Sequence, residues 1–266
     1  MCTVICRWRP DERSPLQLLA LRDELASRDF DLPGAWWPGQ PRVVGGRDRL
    51  AGGTWCASDV GSAVTAVVLN RRERPVAAPG APSRGALPLV AVAALQDWPR
   101  SIELAGMASF NLVLATPGSL TWWCYDGATL LREELAPGTH LFTPIGLADG
   151  RLDERFSLGN AGLQDLESDA ANQPTATAWS GWLPILQEMP ASSDPLDLLV
   201  RIPHDEDSFE TVFGQFIAAR PGSLRLDYVR TPDRHDAWTL ARWMVRDGTA
   251  QSERNASAIT PRPAAH

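Results

Sequence analysis

The stretch CTVICRWRPDERSPLQLLALRDELASR, residues 2–28, decides how the chain is read. CTVICRW (2–8) is β-prone and runs into a turn at Pro10-Asp11-Glu12-Arg13-Ser14-Pro15. A second apolar run, LQLLAL (16–21), ends at Arg22-Asp23-Glu24. Two short apolar runs around a Pro-containing connection predict a β-hairpin. A helix over LQLLALRDELASR is the alternative, because its residues favour one, and propensity alone leaves both open.

Cys2, at the head of the first run, has two readings. It is a small buried residue, or it becomes residue one after methionine removal and acts as a nucleophile. In the second case it carries an α-amino group with pKa about 7.7–8.0 beside a thiol near 8.5. That amine is a general base suited to neutral pH and tethered to its own nucleophile, so no histidine is needed. Arg22 and Asp23 close the candidate second strand and are placed to flank the terminus. A cation beside the sulfur lowers its pKa, and a carboxylate anchors the ammonium. Asn70, ending an apolar strand, has the amide chemistry of an oxyanion donor.

The bulk numbers set limits. The 266 residues are 44% hydrophobic and 21% charged, which suits a globular chain with a substantial core. Lysine is absent, so no lysine can serve as nucleophile or Schiff base. The net charge is −7 and no basic cluster stands alone, which argues against nucleic-acid binding. RDRL (47–50) and NRRER (70–74) read as solvated turns. Cysteines 2, 6, 56 and 124 show no zinc spacing, and the last three sit in apolar runs as core residues. Charges at 7, 9 and 11–13 interrupt any signal sequence, and no run of about 18 apolar residues spans a membrane. These features point to the cytoplasm, where free thiols stay reduced.

Further along, DLPGAWWPGQPRVVGGR (31–47) reads as an ordered loop. GGTWCASDVGSAVTAVVLN (52–70) predicts two strands around Asp59-Val60-Gly61. A Pro/Ala/Arg loop covers 71–86, and LPLVAVAALQDW (87–98) predicts a helix. SFNLVLAT and LTWWCYDG (109–127) form the clearest hairpin, and 131–142 continues as short strands. Residues 151–200 predict helical pieces in polar linkers. Strands are expected at 208–219, 223–230 and 238–246. Together these give one domain over 1–248 on mainly antiparallel sheets, with 249–266 a disordered tail.

Seven landmarks then fall in a fixed order: MCTVIC, LRDELASR (21–28), GGTW (52–55), the strand ending in Asn70, SRGALPLV (83–90), FNLVLA (110–115) and LAPGTHLF (135–142). In this the chain resembles the NRDE family, also called the Transport and Golgi organisation family. The resemblance covers about the first 150 residues. It implies an α+β fold, the four-layer αββα Ntn-hydrolase-like sandwich of two mainly antiparallel sheets between helix layers. It implies Cys2 as N-terminal nucleophile, Arg22 and Asp23 in its pocket, and Asn70 as an oxyanion or substrate-orienting amide. The implied chemistry is hydrolysis of a small amide through a thioester, with no cofactor or metal. Two departures stand out. Leu21 replaces the motif's leading asparagine, and Thr143-Pro144 replaces a Ser-Asn pair. The strand at 209–220 also lacks the family's small Ser/Thr residues.

Those departures favour a second class of function, a non-catalytic member that binds or traffics a small apolar ligand, for which the resemblance implies haem. Eleven tryptophans, with pairs at 36–37 and 122–123, suit such a ligand, although core packing explains them too. No Cys-Pro dipeptide occurs, and histidines 140, 204, 235 and 266 are dispersed, so no axial ligand stands out.

Overall fold

The computed structural model describes residues 2–72, 77–148, 173–183, 186, 191–194 and 198–230, and the strand backbones at 238–246 and 249–259. The first two strands, β1 (Cys2–Trp8) and β2 (Leu16–Leu25), form the expected hairpin, in register from Cys2↔Arg22 to Trp8↔Leu16. The second sheet is built from β3 (Phe30–Gly34), β4 (Val43–Asp48), β5 (Cys56–Asp59), β6 (Val64–Asn70), β7 (Phe110–Thr116), β8 (Ser119–Tyr125) and β9 (Leu130–Glu134), adjacent in chain order. The chain then returns to the first sheet through β10 (Gly138–Thr143), β11 (Gly146–Leu147), β12 (Arg201–His204), β13 (Asp207–Arg220), β14 (Ser223–Arg230), β15 (Trp238–Arg246) and β16 (Thr249–Ile259). Its order is β11-β10-β1-β2-β13-β14-β15-β16, with β12 also on β13. Every strand pairing within both sheets is antiparallel.

Burial on two faces explains why LQLLAL is a strand. Leu16, Leu18 and Ala20 enter the core between the sheets, with Val4, Cys6, Val67, Leu69 and Val113. Leu19 and Leu21 point the other way, with Ile5, Phe216 and Val229, under Trp179 and Trp182. A ladder on each edge and a core on each face outweigh helix propensity. The outer face of the second sheet is covered by α1 (Leu87–Ala94) and the 3₁₀ turn at Leu95–Ser101, which seat Leu87, Ala91, Val92 and Trp98 on Val68, Leu112 and Leu114. On the first sheet the cover is α2 (Thr175–Ala178) and the residues after it. The protein is thus α+β and rich in sheet, two antiparallel sheets face to face with a cover on each outer side. Among the described residues no helix is long and apolar enough to cross a membrane.

Two expectations change. The 31–47 stretch is not simply a loop, since β3 and β4 bracket it. Its glycines serve close packing: a Cβ on Gly46 would lie 2.2 Å from the Trp55 ring. Where a disordered tail is expected after 248, Thr249–Ile259 pairs along β15. Residues 260–266, and most of the 151–200 stretch expected to hold helical pieces, lie outside the described residues.

Candidate active site

The open end of the β1–β2 hairpin meets the second sheet at the end of β6. Cys2 and Arg22 are cross-strand partners, so the thiol and the guanidinium start from neighbouring backbone positions. Arg22 and Asp23 are both 3% exposed, which is unusual for charged side chains at the end of a strand. Each is held by specific partners. Arg22 Nη2 donates to Asp48 Oδ2 at 3.1 Å, and the guanidinium carbon lies 4.6 Å from the Trp55 ring centre and 5.0 Å from that of Phe30. Asp48 also takes Arg28 through Nε at 2.7 Å and Nη2 at 3.2 Å, and the backbone N–H groups of Leu50 and Ala51. Glu24 stands 3.7 Å from both Arg22 and Arg28.

Asp23 depends on an irregularity in β13. Register with β2 slips between Thr211 and Phe213, a bulge that sets Thr211 opposite Asp23. The Thr211 hydroxyl donates to Asp23 Oδ1 at 2.7 Å and accepts the Val200 N–H at 2.9 Å. The second sheet supplies Thr54, Trp55, Val68 and Asn70, and the Ser83–Gly85 turn closes the rim. That turn docks tightly: Thr54 N–H donates to Gly85 O at 2.9 Å, and a Cβ on Gly53 would lie 2.5 Å from the Gly85 backbone. The GGTW and SRGALPLV landmarks therefore touch each other.

Cys2, the adjacent Arg22 and Asp23, and Asn70, from three separate strand ends, line one cavity of about 310 Å³. The half-exposed Asn70 side chain makes no hydrogen bond to any described residue. Burial pushes the Cys2 thiol pKa up and the Asp23 charge adds to that, while Arg22 and the Asp23 backbone N–H oppose it. Burial also raises the Asp23 carboxyl to about 6, against the Thr211 bond and Arg22 and with help from Glu24. Burial pulls Arg22 below its ordinary value, while Glu24, Cys2 and Asp48 resist. For Asp48 burial acts upward, but the bonds from Arg28 and Ala51 and the charges of Arg28 and Arg22 prevail, and its pKa is lowered.

The departures from the family pattern lie elsewhere. Leu21, in place of asparagine, points away from the cavity into the outer core beneath Trp179 and Trp182. Pro144 lies in the β10–β11 turn, where its carbonyl accepts the Arg72 N–H at 3.0 Å. That turn is tied to the second sheet by Asn111 of the FNL landmark. Asn111 Nδ2 donates to Thr143 O at 3.2 Å, while its Oδ1 accepts Arg71 Nη1 at 3.2 Å and Trp122 Nε1 at 3.1 Å.

Neither tryptophan pair lines the cavity. Trp36 bonds Leu32 O and stacks on Arg47, Trp37 bonds Gly52 O, and Trp123 packs on Trp98. Trp55 is the tryptophan of the cavity wall. RDRL (47–50) is solvated only at Arg49 and Leu50: Arg47 and Arg49 bind Asp31, and the buried Asp48 joins the site. Sequence reasoning passed over Asp48, hidden in a charged turn, and Thr211, which puts a small hydroxyl into the 209–220 strand expected to lack one. Among the described residues no group of three or more His, Cys, Asp or Glu is arranged to hold a metal.

A family model described as Transport and Golgi organisation 2 matches residues 1–188. No curated protein matches the chain. The match ends before β13, so Thr211 and its bulge lie beyond it.

Proposed function

The chain belongs to the Transport and Golgi organisation 2 family, and from that premise we propose that it is a cytoplasmic Ntn-type amidohydrolase using Cys2 on a small amide. The observation that carries this reading is the meeting of Cys2, Arg22, Asp23 and Asn70 around one cavity. Facing antiparallel sheets with a cover on each outer side support an Ntn-type frame.

In the processed chain Cys2 is residue one. Its α-amine takes the thiol proton, and the sulfur attacks the substrate carbonyl carbon. Arg22 favours the thiolate that burial disfavours. Asn70 donates to the tetrahedral oxyanion, a contact whose loss elsewhere costs about 10²–10³ in rate. The ammonium returns its proton to the leaving amine as the C–N bond breaks, leaving a thioester on Cys2. The same amine then deprotonates a water molecule, which releases the acid and restores the thiol. Asp23, buried beside the hairpin end, orients the ammonium. Carriage of an apolar ligand finds less support, because six of the cavity's residues are Arg, Asp or Glu.

Three measurements test the proposal together. Intact-mass spectrometry of protein from cells should show the chain beginning at Cys2, and iodoacetamide should label that thiol stoichiometrically near neutral pH. Cys2→Ser should lower amide turnover by about 10³-fold or more. A retained Met1 would turn the general base into an amide and sink the mechanism.

A further inference from the structure

The cavity wall contains buried donors with nothing to bond. Arg22 uses Nη2 for Asp48, but its Nη1 is buried without a hydrogen-bond partner. The Trp55 indole N–H, on the ring beneath the same guanidinium, is buried and unpartnered too. Both side chains are more than nine-tenths buried, and both line the cavity. An unpaired buried donor costs about 1–3 kcal/mol, and more when charged. Two such donors in one wall mark the place of a missing acceptor.

Charge indicates what the acceptor is. Three guanidiniums, from Arg22, Arg28 and Arg84, line the cavity. Asp48 is shared between Arg22 and Arg28, Glu24 stands 3.7 Å from the same two, and Asp23 accepts from Thr211. Three carboxylates, Asp23, Glu24 and Asp48, thus line the cavity with the three cations, yet none of them bonds Arg22 Nη1. The unpartnered Nη1 belongs to a charged, planar guanidinium, and such a donor favours a carboxylate as its acceptor.

We infer that the cavity holds a carboxylate subsite, with Arg22 Nη1 and the Trp55 N–H as its donors, and that the amides it takes are carboxylated, as N-acyl amino acids are. Small shifts of the two side chains admit the oxygens. The inference rests on the proposed function for the amide but not for the carboxylate, which binds whether or not Cys2 attacks. Asn70 is left for the carbonyl, so the two ends of the ligand use different donors.

Calorimetric titration of the Cys2→Ala protein with N-acetylglycine and with its neutral methylamide tests this. The carboxylate should bind at least about tenfold more tightly, the size expected for one charge-assisted contact. Arg22→Lys keeps the charge for Asp48 but has no second nitrogen, and should erase the preference. Should Arg22→Lys fail to fold, Trp55→Phe decides, since it keeps an aromatic ring without the N–H and should reduce the preference several-fold. Equal affinities, no binding of either compound, or a preference untouched by these substitutions overturns the subsite. Wild-type turnover of both compounds separates the claims. Hydrolysis without discrimination leaves the nucleophile and removes the subsite, while discrimination without hydrolysis does the reverse.

Discussion

Cys2 and Cys6 stand on the same strand, on the same face, and enter the same core between the sheets. Their surroundings nevertheless differ. Cys6 is flanked in register by Leu18 on β2 and His140 on β10, and burial alone drives its thiol far up. Cys2 is buried too, but its cross-strand partner is Arg22, the Asp23 N–H reaches its sulfur, and a cavity opens beside it. Burial makes a thiol inert, and charged neighbours with an opening make it usable. The difference arises in β2, whose sequence changes from apolar to charged at Arg22 while the backbone continues as a strand.

The largest effect that probes this contrast is on Asp23. Its folded pKa of about 6 lies above the ordinary 3.8, so the native state binds that proton more tightly than the unfolded chain. Its contribution to stability is complete below about pH 4 and is lost as pH rises through about 6. The loss is about 3 kcal/mol at most, since one pKa unit is about 1.4 kcal/mol. Asp23→Asn stays neutral at every pH and keeps an oxygen for Thr211. Urea unfolding at pH 4, 5, 6 and 7 should therefore show the variant gaining on wild type as pH rises. Parallel curves would mean that Asp23 is not enclosed as described, and the contrast with Cys6 would lose its acidic neighbour.

A smaller effect, about 2 kcal/mol, is expected from Thr211→Val. It leaves the Val200 N–H and Asp23 Oδ1 without the hydroxyl that serves both. Thr211→Ser should recover most of that stability. Because the Thr211 bond lowers the Asp23 pKa, the valine variant should also move the wild-type pH drop to higher pH. Loss of stability with an unmoved pH profile would make Thr211 a packing residue only.

Much of this site was legible in the sequence because its members end or begin strands that hydrophobic runs reveal. Cys2 heads CTVICRW, Arg22 and Asp23 close LQLLALRDEL, and Asn70 closes VTAVVLN. The mainly antiparallel strands were legible for the same reason, through runs such as FNLVLAT, while the two-sheet plan was implied by the family resemblance. Whether 16–25 was strand or helix was not, because the answer came from neighbours on both edges and cores on both faces. Asp48 escaped because RDRL resembles a solvated turn until Arg22 and Arg28 are brought to it. Thr211 escaped because a bulge, set by pairing with a strand nearly two hundred positions earlier, has no local signature. The significance of Leu21 changed for a geometric reason. Alternation sends its side chain to the outer core while Arg22 faces the cavity, so a motif position can change its residue without emptying the site.

The smallest expected effect is at Cys6, and it sharpens the comparison most directly. Cys6→Ala removes one sulfur from a packed core, at a cost of about 1 kcal/mol. The variant should unfold slightly earlier in urea, while the rate and extent of iodoacetamide labelling at Cys2 stay at the wild-type level. The two thiols share a strand face, yet the proposed function draws Cys2's reactivity from Arg22, Asp23 and the cavity, none of which Cys6 meets through its register partners. If Cys6→Ala instead changed labelling at Cys2, the core beneath the hairpin would be setting that reactivity, and the charged end of β2 would no longer explain why one buried thiol differs from the other.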